Sequence, residues 1–273
     1  MREDSQYDEL SYVFLKEVRP LLVRGDLKRI LICISLCISS LFLSVLLPGE
    51  AAASLDVNKK FVYYVYWAGI RAGKAVMDYE STADNIKIRT HATSATVITL
   101  FYKVDDVAES ILYPDGYPMK HTLVVRQGRH RRHKITEFGP QKNSMPQKVT
   151  YQNLLDKTLT EHYLERPAFD SLSAFFELTR RPLTVGTSEY IDVFDSNKLY
   201  NAEVKVLGKE RVRVPAGEFD TILVKPILKS EGIFLKKGDM YIWVTDDDRK
   251  LPVLFKSKVR IGHFTVKLIE GTL

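Results

Sequence analysis

The sequence predicts an all-β domain: a strongly curved antiparallel sheet or partly open β-barrel of ten or more strands, with one plugging α-helix at about residues 170–181. Three observations carry this. The stretch Gly238–Leu268 reads as an antiparallel meander, in which Met240, Ile242 and Val244 alternate with Tyr241, Trp243 and Thr245. Phe61–Trp67 is an almost unbroken aromatic and β-branched run, the composition of a strand covered on both faces. After Pro167, in contrast, Leu172, Phe175, Phe176 and Thr179 recur at helical spacing behind Asp170, a good N-cap, and Pro182 stops the pattern.

The remaining elements follow in order. Gly69–Gly73 supplies a reversal, Lys74–Glu80 returns, and Ile86–Thr93 alternates a wet and a dry face. Val97–Val104 is rich in β-branched and aromatic residues and is expected as a strand, followed by Val107–Leu112. The turn Tyr113–Pro118 leads to Met119–Arg126 and His133–Phe138, and Lys148–Tyr151 is expected as a short edge strand. Beyond the helix come Tyr190–Phe194, a turn at Asp195-Ser196-Asn197, Tyr200–Leu207, and a turn at Pro215–Glu218. Asp246-Asp247-Asp248 closes the Met240 strand. Pro252 suits an edge, a strand start or a bulge, and the apolar phase changes across Gly262-His263 between Ile261 and Phe264.

Residues 54–273 read as a single domain, with no internal repeat or long linker, preceded by a targeting segment at 1–53. Arg24, Lys28 and Arg29 precede the uncharged run Ile30–Leu47, and Ala51-Ala52-Ala53 follows it. A basic flank, an apolar run and an A-x-A site describe a secretory signal peptide cleaved after Ala53, which places the domain in the periplasm. The alternative is an uncleaved anchor at 30–47 in the inner membrane, with the domain on the same side. The 29 residues ahead of Ile30 are long for a signal peptide and favour translation beginning near Val23. Both cysteines, Cys33 and Cys37, lie inside the apolar run, so the domain holds no disulfide, thiolate metal site or thiol nucleophile. The chain is mildly basic, +6 overall, a bias towards anionic surfaces.

Four short stretches in a fixed order then carry a resemblance: Tyr66–Gly73, Asp170–Ser173, Val214–Phe219, and Ile242-Trp243-Val244 with Arg249–Val253. Over about residues 58–270 the chain resembles the domain-of-unknown-function 3108 family. The resemblance implies an exported envelope protein with no assigned reaction and no catalytic residues to carry over. The pattern is also similar to periplasmic lipoprotein-carrier folds, in which a curved sheet wraps a helical plug over an apolar cavity. That is a likeness of fold and fixes no function.

No nucleophile elbow, zinc-protease motif, P-loop or dinucleotide fingerprint occurs, and we expect a non-enzymatic protein with no cofactor and no metal. The Asp246–Asp248 run lacks the spacing of a calcium loop and is expected as a solvated turn; Asp105 and Asp106 with Glu109 are expected as a loop-facing charge group rather than paired carboxylates. Two features invite function. Trp67, Phe175, Phe176 and Trp243 are expected to border an apolar cavity between sheet and helix, for a lipid-like envelope component; the alternative is a solid core serving a structural or protein-interaction role. Arg126, Arg129, Arg131, Arg132 and Lys134 are expected at a hairpin tip, where they either face water or meet an anionic membrane surface. With no aromatic residue interleaved in that stretch, nucleic acid is not an expected partner.

If Ala51–Ala53 is a cleavage site, the chain recovered from the envelope has Ser54 at its N-terminus and fractionates without membrane. An intact mass that retains Ile30–Leu47 in the membrane fraction selects the anchor instead.

Overall fold

The computed structural model describes residues 57–140, 146–228, 240–258 and 262–272. The expected signal or anchor segment, and Val259 and Ile261 of the meander, lie outside them. Among the described residues there are fourteen strands. The first eight are β1 (Val57–Trp67), β2 (Ile70–Ser81), β3 (Ile86–Ser94), β4 (Asp105–Leu112), β5 (Pro118–Gln127), β6 (His130–Phe138), β7 (Gln147–Asn153) and β8 (Thr158–Leu164). Then come β9 (Ser188–Asp195), β10 (Lys198–Val214), β11 (Gly217–Leu228), β12 (Met240–Thr245), β13 (Pro252–Lys258) and β14 (His263–Gly271). Two helices interrupt them, α1 (Thr96–Thr99) and α2 (Ser171–Thr179).

The strands form one antiparallel sheet in the order β8-β7-β6-β5-β4-β3-β2-β1-β14-β13-β12-β11-β10-β9. Two meanders are therefore sewn together where β1 pairs with β14, the first strand with the last. This explains why Phe61, Tyr63 and Val65 are buried: β1 sits mid-sheet rather than at an edge. The tight hairpins use left-handed backbone where the sequence permits it. Ala68 (φ 47°) and Gly69 (φ 87°) turn β1 into β2, and Ser196 (φ 50°) and Asn197 (φ 68°) turn β9 into β10. The first reversal is thus shorter than expected, with Ile70–Gly73 already in β2.

The edge strands β8 and β9 are not paired with each other. Instead the sheet curls until its ends overlap. Ile191 and Val193 of β9 point one way, with Ala202 and Val206 of β10, into the main core; Phe194 points the other way. Phe194 packs edge-on against Phe138 (6.4 Å) and His162 (5.0 Å), in a second small core with Val149, Tyr151, Leu164 and Ala168. The connector after β8 adds one parallel bridge, Phe169 to Val193, with Phe169 N donating to Asp192 O at 2.9 Å and Phe194 N to Phe169 O at 2.8 Å. The barrel is closed by overlap and a connector, not by a continuous ladder.

Inside the curl lies α2, packed on β9 and β4. Its cap is wholly buried: Asp170 accepts hydrogen bonds from Leu172 N (2.8 Å), Ser173 N (3.1 Å), Ser173 Oγ (2.7 Å) and, from β4, Ser110 Oγ (2.6 Å). Burying a carboxylate is costly unless such donors surround it, so the cap both starts the helix and pins it to the sheet. Phe175 and Phe176 are buried, as the spacing predicts. Gly116 (φ 93°) is required beside them, because a Cβ there would overlap the Arg180 guanidinium and come within 2.8 Å of the Phe176 ring.

Two expectations need correction. Val97–Val104 is not a strand: residues 95–104 form a loop with α1, leaving Val97, Leu100 and Phe101 exposed. The residues favour a strand intrinsically, but Thr99 Oγ1 bonds Ala95 O (3.0 Å) and Ser94 Oγ accepts from Val104 N (3.0 Å), so local side-chain bonds hold a turn. Lys148–Tyr151 lies in β7, which is an interior strand. The edge is β8, whose Leu159 and Tyr163 face solvent and give a weak pattern.

Phe176→Ala is expected to destabilise the fold by about 3–5 kcal/mol, the usual cost of emptying a buried phenylalanine site. A denaturant melt reads this directly, with Leu159→Ala on exposed β8 as the control that stays within about 0.5 kcal/mol.

Candidate functional site

The cross-strand register fixes which side chains share a face. Ser110 of β4 bonds to the α2 cap, and its face continues through Ile88, Tyr79, Met77, Phe61 and Tyr63 to Leu268. That is the interior. Phe175 and Phe176 face it from α2. Trp67 lies on it at the far end of β1, stacked on Phe264 at 6.2 Å. Trp243 does not. It pairs with Leu254, which pairs with Lys267, which pairs with Tyr64, all on the outer face. There Trp243 Nε1 donates to Glu210 Oε1 at 2.6 Å and Lys256 lies over the ring at 5.2 Å. The expected four-residue border of one cavity is therefore corrected: β12 is apolar on both faces, and its tryptophan is on the side turned from the helix.

The basic residues divide as well. The β5–β6 hairpin turns at Gly128-Arg129, and Arg126 and Arg131 form an opposed pair on its outer face. Arg132 and Lys134 pair with buried Val125 and Leu123 and so lie on the interior face. Lys134 is absorbed by the overlap: its Nζ donates to Ser196 Oγ at 2.8 Å and lies over the Tyr151 ring at 5.8 Å. Burial lowers the Lys134 pKa, Asp195 opposes that shift, and Arg132 reinforces it. The exposed cations of the tip are Arg126, Arg129 and Arg131.

At this end of the interior sits a polar group that sequence reasoning placed wrongly or passed over. Asp106 is buried rather than loop-facing, accepting from Arg126 N at 2.8 Å and from the Gln127 side-chain amide. Asp105, one residue earlier, faces outward to His91 (2.8 Å) and Arg126 (3.4 Å), and its carboxyl is held below the ordinary value first by the His91 hydrogen bond. Tyr102 packs on Gly128; burial, with the Asp106 charge in support, pushes its hydroxyl up to about 12. Among the described residues, Gln127 Oε1, His130 Nε2 and, near the α2 cap, His121 Nε2 are buried with no hydrogen-bond partner. His130 is shifted down, by burial first and then by Arg132. The signal for this group in the sequence was one polar residue at an inward-facing position near the end of each strand, Asp106 on β4, Gln127 on β5 and His130 on β6, which is visible only once the register is known.

A family model, described as a protein of unknown function (DUF3108), matches residues 62–269. The chain belongs to the DUF3108 family. No curated protein matches it. Among solved structures, this DUF3108 domain is similar to a β-barrel-like protein of the DUF1849 family from Brucella abortus. The TM-score is 0.57 at 10% identity, over 81% of this chain and 99% of that one. That likeness concerns the fold alone. Weaker similarity extends to an inferred exported protein with a YmcC-like fold from Bacteroides fragilis (TM-score 0.37, 11% identity, 84% and 100% covered) and an inferred lipoprotein from Parabacteroides distasonis (TM-score 0.32, 12% identity, 85% and 100% covered).

The division of the basic residues has a measurable consequence. Lys134→Ala is expected to cost about 1–2 kcal/mol by removing a half-buried hydrogen bond and cation–π contact at the overlap. Arg129→Ser at the exposed tip is expected to stay within about 0.5 kcal/mol. Urea melts of the two variants, side by side, check the difference.

Proposed function

We propose that this DUF3108 domain is an exported, non-enzymatic cell-envelope protein that holds an amphipathic, lipid-like ligand within its barrel. The observation that supports it is the mixed interior. Apolar walls from β1, β13 and β14 meet a polar end where Gln127 Oε1 and His130 Nε2 are buried with no hydrogen-bond partner among the described residues. Buried polar atoms of that kind are costly unless water or a ligand satisfies them. An amphiphile matches both halves, its chain against the apolar wall and its head near Gln127 and His130. Export rests on the basic flank, apolar run and Ala51–Ala53 site of the N-terminal segment.

A second reading is favoured by one specific feature: beside α2 the interior is filled, with Asp170, Leu172 and Phe176 almost fully buried. On that reading the domain is a solid-cored structural or protein-interaction module.

Protein purified from its native envelope is expected to release lipid on organic extraction, detected by mass spectrometry, and that lipid is expected to displace a fluorescent fatty acid. His130→Phe, which removes the polar end, is expected to weaken displacement about tenfold, the worth of one well-made hydrogen bond. No co-purifying lipid together with no probe binding selects the solid module.

A further inference from the structure

Val97, Leu100 and Phe101 are 64%, 79% and 49% exposed, three large apolar side chains within five residues. Single exposed apolar residues are ordinary; a cluster rimmed by cations marks a contact surface. The loop that carries them is framed from within. Ser94 N donates to Val104 O (3.0 Å), Thr99 N to Ala95 O (2.8 Å) and Tyr102 N to Ile98 O (2.7 Å), while Ala95 N reaches Ala72 O of β2 (2.8 Å). Much of its backbone polarity is thus met internally, which is what a segment entering a low-dielectric layer needs.

Cations stand on both sides. On one, Arg71 lies over the Tyr64 ring at 4.8 Å, and Lys74 is opposite Thr93 at the foot of the loop. On the other, Lys103 O accepts from Gly128 N at 2.8 Å, which fixes the loop against the hairpin bearing Arg126, Arg129 and Arg131. Among the described residues no carboxylate pairs with Arg71, Lys74, Lys103 or Arg129. The two acids nearby are engaged, Asp105 by His91 and Arg126, and Asp106 by Arg126 N and Gln127.

We propose that the protein docks on an acidic phospholipid surface through the β3–β4 loop, with Val97, Leu100 and Phe101 entering between headgroups and the flanking Arg and Lys side chains meeting their phosphates. Insertion of apolar side chains and attraction of cations reinforce each other at such a surface. A soluble polyanion would use the cations but has no need of Leu100. Nucleic acid, likewise, would leave the exposed aliphatic side chains of Val97 and Leu100 unused. This end of the barrel is remote from Val57, which pairs with Ser81 at the opposite end of β1 and β2. It is also independent of the interior reading.

The test uses the protein as the native envelope contains it, with whichever N-terminus it carries. It is mixed with vesicles of phosphatidylcholine alone or of equimolar phosphatidylcholine and phosphatidylglycerol, and lysine acylation is read by mass spectrometry. Acylation of Lys74 and Lys103 is expected to fall at least about fivefold with the acidic vesicles only, the occupancy one surface cation brings, and to recover in high salt. The exposed-site variant Val97→Asp/Leu100→Asp, with an unchanged thermal melt, is expected to lose that protection. Equal acylation with both vesicles overturns the proposal. So does protection that survives in the variant, which assigns the cations to a headgroup or polyanion contact without insertion.

Discussion

The structure depends on how a fourteen-stranded sheet disposes of its two edges. Unpaired edge strands invite association with other chains, and a long twisted sheet must curl, split or close. Here β8 and β9 do neither of the usual things; they neither pair nor stay apart. The sheet spirals past closure, so β9 has β10 and α2 on one side and the inner face of β6–β8 on the other. Phe194 is the wedge between them, and the Phe169–Val193 bridge supplies backbone bonds that the missing ladder would have made. Most other features follow from this overlap, including the pairing of β1 with β14 and the placing of α2 inside.

The overlap also explains the uneven use of charge. A cation on a barrel exterior is normally solvated, but a spiral brings one stretch of interior face against the outer face of another strand. Lys134 falls in that seam, which is why a residue of a basic hairpin is half-buried and bonded to Ser196. Its neighbours two and three positions away, Arg132 and Arg131, lie on opposite faces of the same strand. A run of like charge in sequence therefore becomes an interior group and an exterior group, and only the exterior one is available to a membrane.

The alternation of strands was legible because burial on one face imposes period two, and the helix was legible because Asp170, the 3.6-residue spacing and Pro182 agree. The family likeness was legible for a related reason: its matching stretches are turns, a cap and strand ends, where backbone geometry restricts residue choice. The loop at 95–104 was misread because Val97, Leu100 and Phe101 favour strands, and composition alone does not reveal that Ser94 and Thr99 hydrogen-bond locally. Strand β8 escaped notice because an edge strand with an exposed face, bearing Leu159 and Tyr163, loses the alternation that identifies its neighbours.

What the sequence determined by itself was the class: many short amphipathic strands, one capped helix, no thiol in the domain and an apolar N-terminal run. Those properties are local, each set by a few neighbouring residues and their preference for solvent or core. What only the tertiary structure decided was which face of each strand looks inward, and hence which residues meet. Trp243 and Phe176 are both buried aromatics in the sequence sense, yet one faces outward beside Glu210 and the other lies against the helix's own Arg180. Facing depends on register and on bulges such as those at Val62/Tyr63 and Trp243/Val244. A one-residue shift there turns every later side chain over, and nothing local to the residue records it.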